Sequence, residues 1–204
     1  MNEEFDVIWR KGDGEMPEKV KHVVNIAKEE KQLKSNILTV DTEKIIKHKA
    51  VKEITEPDKK STICNTILRA LPDWFGIEAS IVDYVKVVRS MPVFAVFDDD
   101  KAIGFVALKV HNPYTSEISV MGVLQEYHRH GIGKRLVERC EKYCIDNKME
   151  YLTVKTLDES RESDSYKKTR LFYQSMGFRP LEVFPLHWDE DNPCLFLAKH
   201  IHNH

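Results

Sequence analysis

The amino-acid sequence predicts an α/β fold, a mixed sheet carrying helices on both faces. Two observations predict it. From about residue 60 the patterns run two helices, three strands, helix, strand, helix, strands. One of those strands passes through a short glycine-containing loop straight into an amphipathic helix. The connections around the later strands leave room for right-handed crossovers. At 204 residues the chain exceeds the usual domain size of about 100 to 150, so one full domain with an extra arm is expected. An apolar share of 42%, a charged share of 31% and 8 each of Gly and Pro exclude collagen-like, low-complexity and wholly disordered chains.

Residues 1–48 read as a small N-terminal α/β extension and 49–204 as the main domain. The extension holds an apolar run from Phe5 to Trp9, a turn at Gly12-Asp13-Gly14, and a charged helix from Pro17 to Lys34 with Val20, Val23, Val24 and Ala27 on one face. A strand over Ile37 to Val40 follows, and a second over Ala50 to Thr55 lies beyond a short helix or loop. One helix and about two strands are too little to hold a core alone. The arm should therefore dock on the rest of the chain or on a second copy, which makes a homodimer one assembly to expect.

Two helices are expected next, Ser61 to Leu71 and Glu78 to Arg89, joined by the turn-forming Pro72-Asp73-Trp74-Phe75-Gly76. Val93 to Phe97 and Ile103 to Val110 are β-type runs about the solvated hairpin turn Asp98-Asp99-Asp100-Lys101, and Glu117 to Val123 is the third strand of the set. Ile132, Leu136, Cys140 and Tyr143 recur at helical spacing, which sets a helix from Gly131 to Asn147. Tyr151 to Leu157 alternates as a strand, Ser165 to Met176 is a helix stopped by Gly177, and Leu195 to Lys199 is a closing strand.

Lys and Arg total 31 against 33 Asp and Glu. A net charge of -2 provides no long-range field for nucleic acid or anionic lipid, so any anion must be gripped locally. The lysines of the first helix, from Lys19 to Lys34, are interrupted by Glu18, Glu29 and Glu30, the pattern of a solvated face rather than a nucleic-acid arm. No apolar run approaches the length of about 20 residues that crosses a bilayer, and Met1-Asn2-Glu3-Glu4 is acidic where a secretion signal is basic, so a cytoplasmic address and no membrane partner are expected. Cys64, Cys140, Cys144 and Cys194 are scattered, unlike a disulfide framework, and are expected to be reduced. Cys140 and Cys144 share a helix face without a nearby His or second Cys pair, so they read as core residues and no metal is expected. His200, His202 and His204 read as a frayed tail.

The segment from Val120 to Leu136 carries the most chemical information. A buried strand enters a short basic loop with two glycines and then a helix, so unpaired N–H groups and the positive end of the helix dipole face an incoming anion. Gly131 and Gly133 admit a phosphate close to the backbone, and Arg129, His130, Lys134 and Arg135 add charge. For the glycines alone a tight strand-to-helix turn is the commoner use. A P-loop is excluded, since Arg135 stands where its hydroxyl belongs and position 128 is not glycine. A dinucleotide fingerprint is excluded because Leu136 occupies the place of its third glycine.

His128-Arg129-His130-Gly131-Ile132-Gly133 resembles the acetyl-CoA signature of the GNAT superfamily of N-acetyltransferases, Gln/Arg-x-x-Gly-x-Gly/Ala entering a helix, with His128 in the first position. Downstream, Phe172-Tyr173-Gln174-Ser175-Met176-Gly177-Phe178 resembles the family's Phe-Tyr-x-x-x-Gly-Phe segment, and Tyr166 stands where an Asn often precedes that tyrosine. The resemblance spans Ala50 to Lys199. It implies a mostly antiparallel central sheet splayed between its fourth and fifth strands. It also implies transfer of an acetyl group from acetyl-CoA to a primary amine of a small molecule or peptide, by direct attack in a ternary complex. The second reading is a CoA-binding module with weak or no activity, to which the residues at 128 and 166 point.

The resemblance assigns acetyl-CoA to Met121, Val123, His128, Arg129, His130, Gly131, Ile132, Gly133, Lys134 and Tyr173. It makes Tyr173 the general acid toward the departing thiolate, which is feasible for a phenol of pKa about 10 against a thiol of about 8.5 when the sulfur bears full charge in an apolar site. Glu117 is its candidate base, acting directly or through water, a role that a raised pKa assists. Gly122 inside the strand signals a bulge or close backbone approach, and in the family a bulge here frees strand backbone around Met121 and Val123 for the pantetheine arm. His111 is an alternative base, an imidazole being suited to neutral pH, although a surface-loop role is preferred. Trp74, Phe75 and Trp188, in expected loops with Asp73 and Asp189-Glu190-Asp191 beside them, would suit a cationic amine or serve as an aromatic cap with a solvated turn.

Overall fold

The computed structural model describes residues 25, 26, 28–32 and 49–201. The chain divides into two units, Met1–Ile45 and Ile46–His204. In the first, residues 25, 26 and 28–32 are helical, within the span expected for the charged helix. The other elements expected before residue 49 lie outside the described residues.

The second unit is built on a seven-stranded sheet: β1 (Val51–Ile54), β2 (Val93–Asp98), β3 (Lys101–Asn112), β4 (Thr115–Val123), β5 (Tyr151–Leu157), β6 (Arg179–Asp189) and β7 (Asn192–His200), in the order β1-β2-β3-β4-β5-β7-β6. All neighbours are antiparallel except β4 and β5. The helix α3 (Ile132–Asp146) makes the crossover between those two. The remaining helices are α1 (Pro57–Arg69), α2 (Glu78–Val87) and α4 (Asp164–Ser175). This is the mixed α/β sheet with helices on both faces that the sequence predicts.

Strand alternation sends side chains into two cores. Phe94, Val106, Leu108, Ile118, Val154 and Leu197 pack with Leu136, Val137 and Cys140 of α3 and Tyr173 of α4. Ala95, Phe105, Ala107 and Val120 pack with Cys64, Ile67 and Leu68 of α1 and Ile81 of α2. α3 buries Ile132, Leu136, Val137, Cys140 and Cys144. Tyr143, expected on that stripe, is only partly buried and sets its ring 6.0 Å from Phe94.

Several boundaries differ from the sequence reading. α1 starts at Pro57, since proline is well placed in the first helical turn, where its missing N–H costs nothing. β6 extends through Trp188, which was expected in a loop. Its Pro180 and Pro185 hide a strand from propensity, yet β6 lies at the sheet edge, where proline is tolerated. His111 belongs to β3 rather than to a loop.

The bulge in β4 is at Ser119 and not at Gly122. Ala107 pairs with Val120 and Leu108 with Ile118, leaving Ser119 as the extra residue. That residue flips the alternation: Ile118 faces α3 and α4, Val120 faces α1 and α2, and Met121 and Val123 return to the α3 side. Gly122 is needed for space, because a Cβ there would stand 2.8 Å from Ile67 Cγ2 and 3.0 Å from Leu71 Cδ1. α1 can lie this close to β4 only over a glycine.

Candidate functional site

Strands β4 and β5 pair only from Thr115–Tyr151 to Ile118–Val154. Beyond them the backbone of Ser119 to Val123 has no partner on the β5 side, and Lys155 is the first β5 residue without one on the β4 side. This is the splay between the fourth and fifth strands.

At the open end, β4 leads through a 3-10 turn at Gln125–Tyr127 to His128 and then to α3. Arg129 and Gly131 both take left-handed backbone, φ 67° and 76°. Gly131 is the N-cap, with no side chain capping the helix. The N–H groups of Ile132, Gly133 and Lys134 consequently have no intrahelical acceptor and face outward with the dipole's positive end. His130 Nδ1 is buried and has no hydrogen-bond partner among the described residues, so this loop carries a polar atom that they leave unsatisfied. Gly133 serves packing, since a Cβ there would meet Phe172 Cζ at 3.2 Å. Lys134 is exposed and pairs with Glu138 at 3.7 Å. Arg135 turns away from the loop and donates to the Lys49 carbonyl.

His128 turns back onto β4, its Nε2 2.7 Å from the Val123 carbonyl and its ring 5.8 Å from that of Trp74. The side chain at the position where the GNAT signature has Gln or Arg is thus engaged with strand backbone. Trp74 Nε1 donates to Thr169 Oγ1 at 3.0 Å, and Tyr166 Oη donates to the Trp74 carbonyl at 2.8 Å. These bonds tie the α1–α2 loop to α4. Burial, with Tyr84 adding, pushes the Tyr166 phenol up to about 12.

Tyr173 is 5% exposed and packs edge-on to Phe178 at 5.4 Å. Its hydroxyl makes no hydrogen bond among the described residues. Burial raises its pKa well above the usual phenol range, with Cys140 and Tyr84 contributing, so the group stays protonated at neutral pH.

Glu117 lies where the strands begin to part. Its Oε2 accepts from Lys155 Nζ at 2.5 Å and lies 2.8 Å from His111 Nε2. Burial is the largest single influence and pushes its pKa up, but Lys155 and His111 together outweigh it and hold the carboxyl below its ordinary value. The raised pKa that a strong base needs is therefore not what Glu117 has. Alternation puts Glu117, Thr153 and Lys155 on the face opposite Ile118 and Val154, away from α3. There they line a cavity of about 290 Å3 with His111 and Thr115, completed by Phe184 and His187 of β6 and Phe196 of β7. Burial, and then the charge of Glu117, raises the pKa of Tyr84 of α2.

The structure thus brings Glu117, His111 and Lys155 together and gathers His128, Trp74 and Tyr166 at the splay. The acidic loop residues do not join them. Asp189 accepts from Asn192 Nδ2 at 2.8 Å and 3.0 Å within the β6–β7 turn, and Asp73 accepts from Gln125 at 3.4 Å. Sequence reading missed Lys155, Tyr84 and Phe196. The signal for Lys155 was available, a lone lysine inside an otherwise uncharged strand run two residues from Thr153, on the same face. Cys64, Cys140, Cys144 and Cys194 are free and buried, with burial raising every thiol. Among the described residues no group of three or more His, Cys, Asp or Glu is placed to hold a metal, and no helix is long and apolar enough to cross a membrane.

Residues 90–180 match the family model described as acetyltransferase (GNAT) domain. No curated protein matches the chain. Among solved structures, a GNAT-family protein from Desulfovibrio desulfuricans superposes with a TM-score of 0.65 at 13% identity, over 75% of this chain and 99% of its own. An aminoglycoside 6'-N-acetyltransferase complexed with coenzyme A gives 0.61 at 20% identity, over 75% and 97%. The ribosomal-protein-S18-alanine N-acetyltransferase from Escherichia coli gives 0.59 at 14% identity, over 74% and 94%. At these identities the likeness is one of fold.

Proposed function

We propose, from the match of residues 90–180 to the GNAT acetyltransferase domain model and the fold shared with GNAT acetyltransferases, that the chain transfers the acetyl group of acetyl-CoA to a primary amine of a small molecule or peptide, by direct attack in a ternary complex. One observation carries this. The β4 edge from Ser119 to Val123 is unpaired toward β5 and runs directly into the uncapped, glycine-led start of α3. Free strand backbone suits the pantetheine amides, and free helix N–H groups suit the diphosphate.

In this proposal Arg129, His130, Gly131, Ile132, Gly133 and Lys134 hold the diphosphate, chiefly through backbone. Met121 and Val123 pair with the pantetheine, and His128 orients the Val123 carbonyl. The donor lies on the α3–α4 face with Tyr173, the acceptor enters from the α1–α2 face beside Glu117, and they meet through the splay. The amine nitrogen attacks the thioester carbon, backbone N–H near Val123 steadies the oxyanion, and the C–S bond breaks. Tyr173 Oη gives its proton to the sulfur. Glu117 takes the proton of the amine and His111, sharing Oε2, carries it outward.

A second reading, a CoA-binding module with weak or no activity, draws support from the same carboxylate: Lys155 and His111 depress its basicity. Thiol release measured over a library of amines, peptides and polyamines separates the two. Release with any acceptor supports transfer, whereas binding of CoA without release across the library supports the module. We further propose that the main domain begins near residue 49, that residues 1–48 are a separate extension, and that the protein works in the cytoplasm as a homodimer.

A further inference from the structure

We infer that the acceptor is an amine with an aromatic body; this rests on the acetyltransferase reading and names the substrate class of the same site. The cavity at the parting of β4 and β5 holds about 290 Å3, at the small end of small-molecule sites, which span about 300–1,000 Å3. Its walls divide by chemistry. On β3, β4 and β5 stand His111, Glu117 and Lys155; beside them on the same sheet stand Phe196, the register partner of Lys155 on β7, and Phe184 and His187 of β6.

The polar wall has one acid, and that acid already has its cation. Glu117 Oε2 is bound by Lys155 at 2.5 Å and lies 2.8 Å from His111. A single amine can enter next to this group and lose its proton there. Desolvating an unpaired ammonium in such a cavity is unfavourable.

The neighbouring wall is aromatic, and Lys155 Nζ lies 5.8 Å from the centre of its Phe196 ring. The rings of Phe184 and Phe196 lie 6.2 Å apart with planes tilted by 55°, and Phe184 and His187 are 6.3 Å apart. Phe184 is 36% exposed, so a large ring surface remains to be covered. An aryl group laid on these rings removes apolar area from water on both partners and directs an attached aminoalkyl chain toward Glu117.

The test titrates phenethylamine, spermidine and kanamycin into the full-length protein saturated with CoA, by calorimetry, and follows thiol release from acetyl-CoA with each. Phenethylamine is expected to bind at least about tenfold more tightly than spermidine or kanamycin, a difference of about 1.4 kcal/mol or more. Phe196→Ala should weaken phenethylamine about tenfold, and Phe196→Leu, which keeps apolar bulk if the alanine variant melts early, should still weaken it measurably. Tighter binding or faster turnover of spermidine or kanamycin overturns the inference and leaves acetyl transfer standing. Absence of heat from phenethylamine, or unchanged affinity in both Phe196 variants, also overturns it. Selective phenethylamine binding with no thiol release from any amine upholds the pocket's preference and sinks the transfer chemistry instead.

Discussion

Lys155 Nζ stands 2.5 Å from Glu117 Oε2 and so joins the first β5 residue beyond the β4–β5 ladder to a β4 residue still inside it. The pair pins the two strands at the point from which they diverge. Both side chains are largely withdrawn from water, 22% and 11% exposed, so their attraction is screened less than that of a surface pair. A cation at this position also fixes Glu117 as an anion.

That anion sets a pH dependence. Burial raises the pKa of Glu117, but Lys155 and His111 bring it below the ordinary 4.5. A group whose folded pKa is depressed adds stability above its unfolded value and forfeits it as pH falls through the folded one. Stability should therefore drop on acidification below about pH 4.5, and Glu117→Gln should flatten that limb. Urea midpoints between about pH 7 and about pH 3 check this; an identical acid limb in Glu117→Gln would remove the pair from the account.

Taking away the cation should be worse than taking away both charges. Lys155→Met leaves a carboxylate in a cavity with only His111 for a partner, and removing one member of a buried pair costs about 3–5 kcal/mol. Here the lysine is partly exposed, so a loss of about 2 kcal/mol is expected. The double variant Lys155→Met/Glu117→Gln should recover most of it in a double-mutant cycle. Additive losses would mean the two groups are not coupled.

Tyr173→Phe isolates the proton donor. The hydroxyl, protonated at neutral pH like any phenol, is held further from ionisation by burial and is a weaker acid toward a thiolate than an ordinary phenol, and it holds no other bond among the described residues that its removal would break. Turnover should fall about a hundredfold or more, with acetyl-CoA affinity within about twofold and the melting temperature unchanged. Equal losses in kcat and in affinity would assign the tyrosine to binding instead.

The architecture was legible because it rests on periodicity. The stripe of Ile132, Leu136 and Cys140 and the alternation of Tyr151 to Leu157 survive into the fold with boundaries nearly unmoved. The bulge was not legible. Glycine in a strand suggests one, but Gly122 is there for the closeness of Ile67, and the bulged residue Ser119 carries no composition signal at all. β6 was hidden by its prolines, whose tolerance depends on an edge position that only the sheet order reveals. With β6 unread, Phe184 and His187 were absent from the site. Glu117 was found, but the raised pKa that would assist a base is not what the fold gives it. Lys155, 38 residues away, acts with His111 to lower it, and the lysine's pairing depends on the parallel register of β4 with β5.

The helix start offers the sharpest test of the donor site. Gly131 has φ 76°, and a Cβ added there would meet nothing within 4 Å, so the whole penalty of Gly131→Ala is conformational, about 1–2 kcal/mol. Relief of that strain swings the N–H groups of Ile132 and Gly133 away from the anion they are proposed to hold. At about a hundredfold excess over Kd, CoA should stabilise the parent protein by about 2.7 kcal/mol, seen as a rise in melting temperature. Gly131→Ala should melt earlier without ligand and show a smaller rise with the same CoA concentration. Gly133→Ala has no left-handed backbone to relieve and crowds only Phe172, at 3.2 Å, so it should retain more of the CoA response. An undiminished rise in Gly131→Ala would place the diphosphate elsewhere.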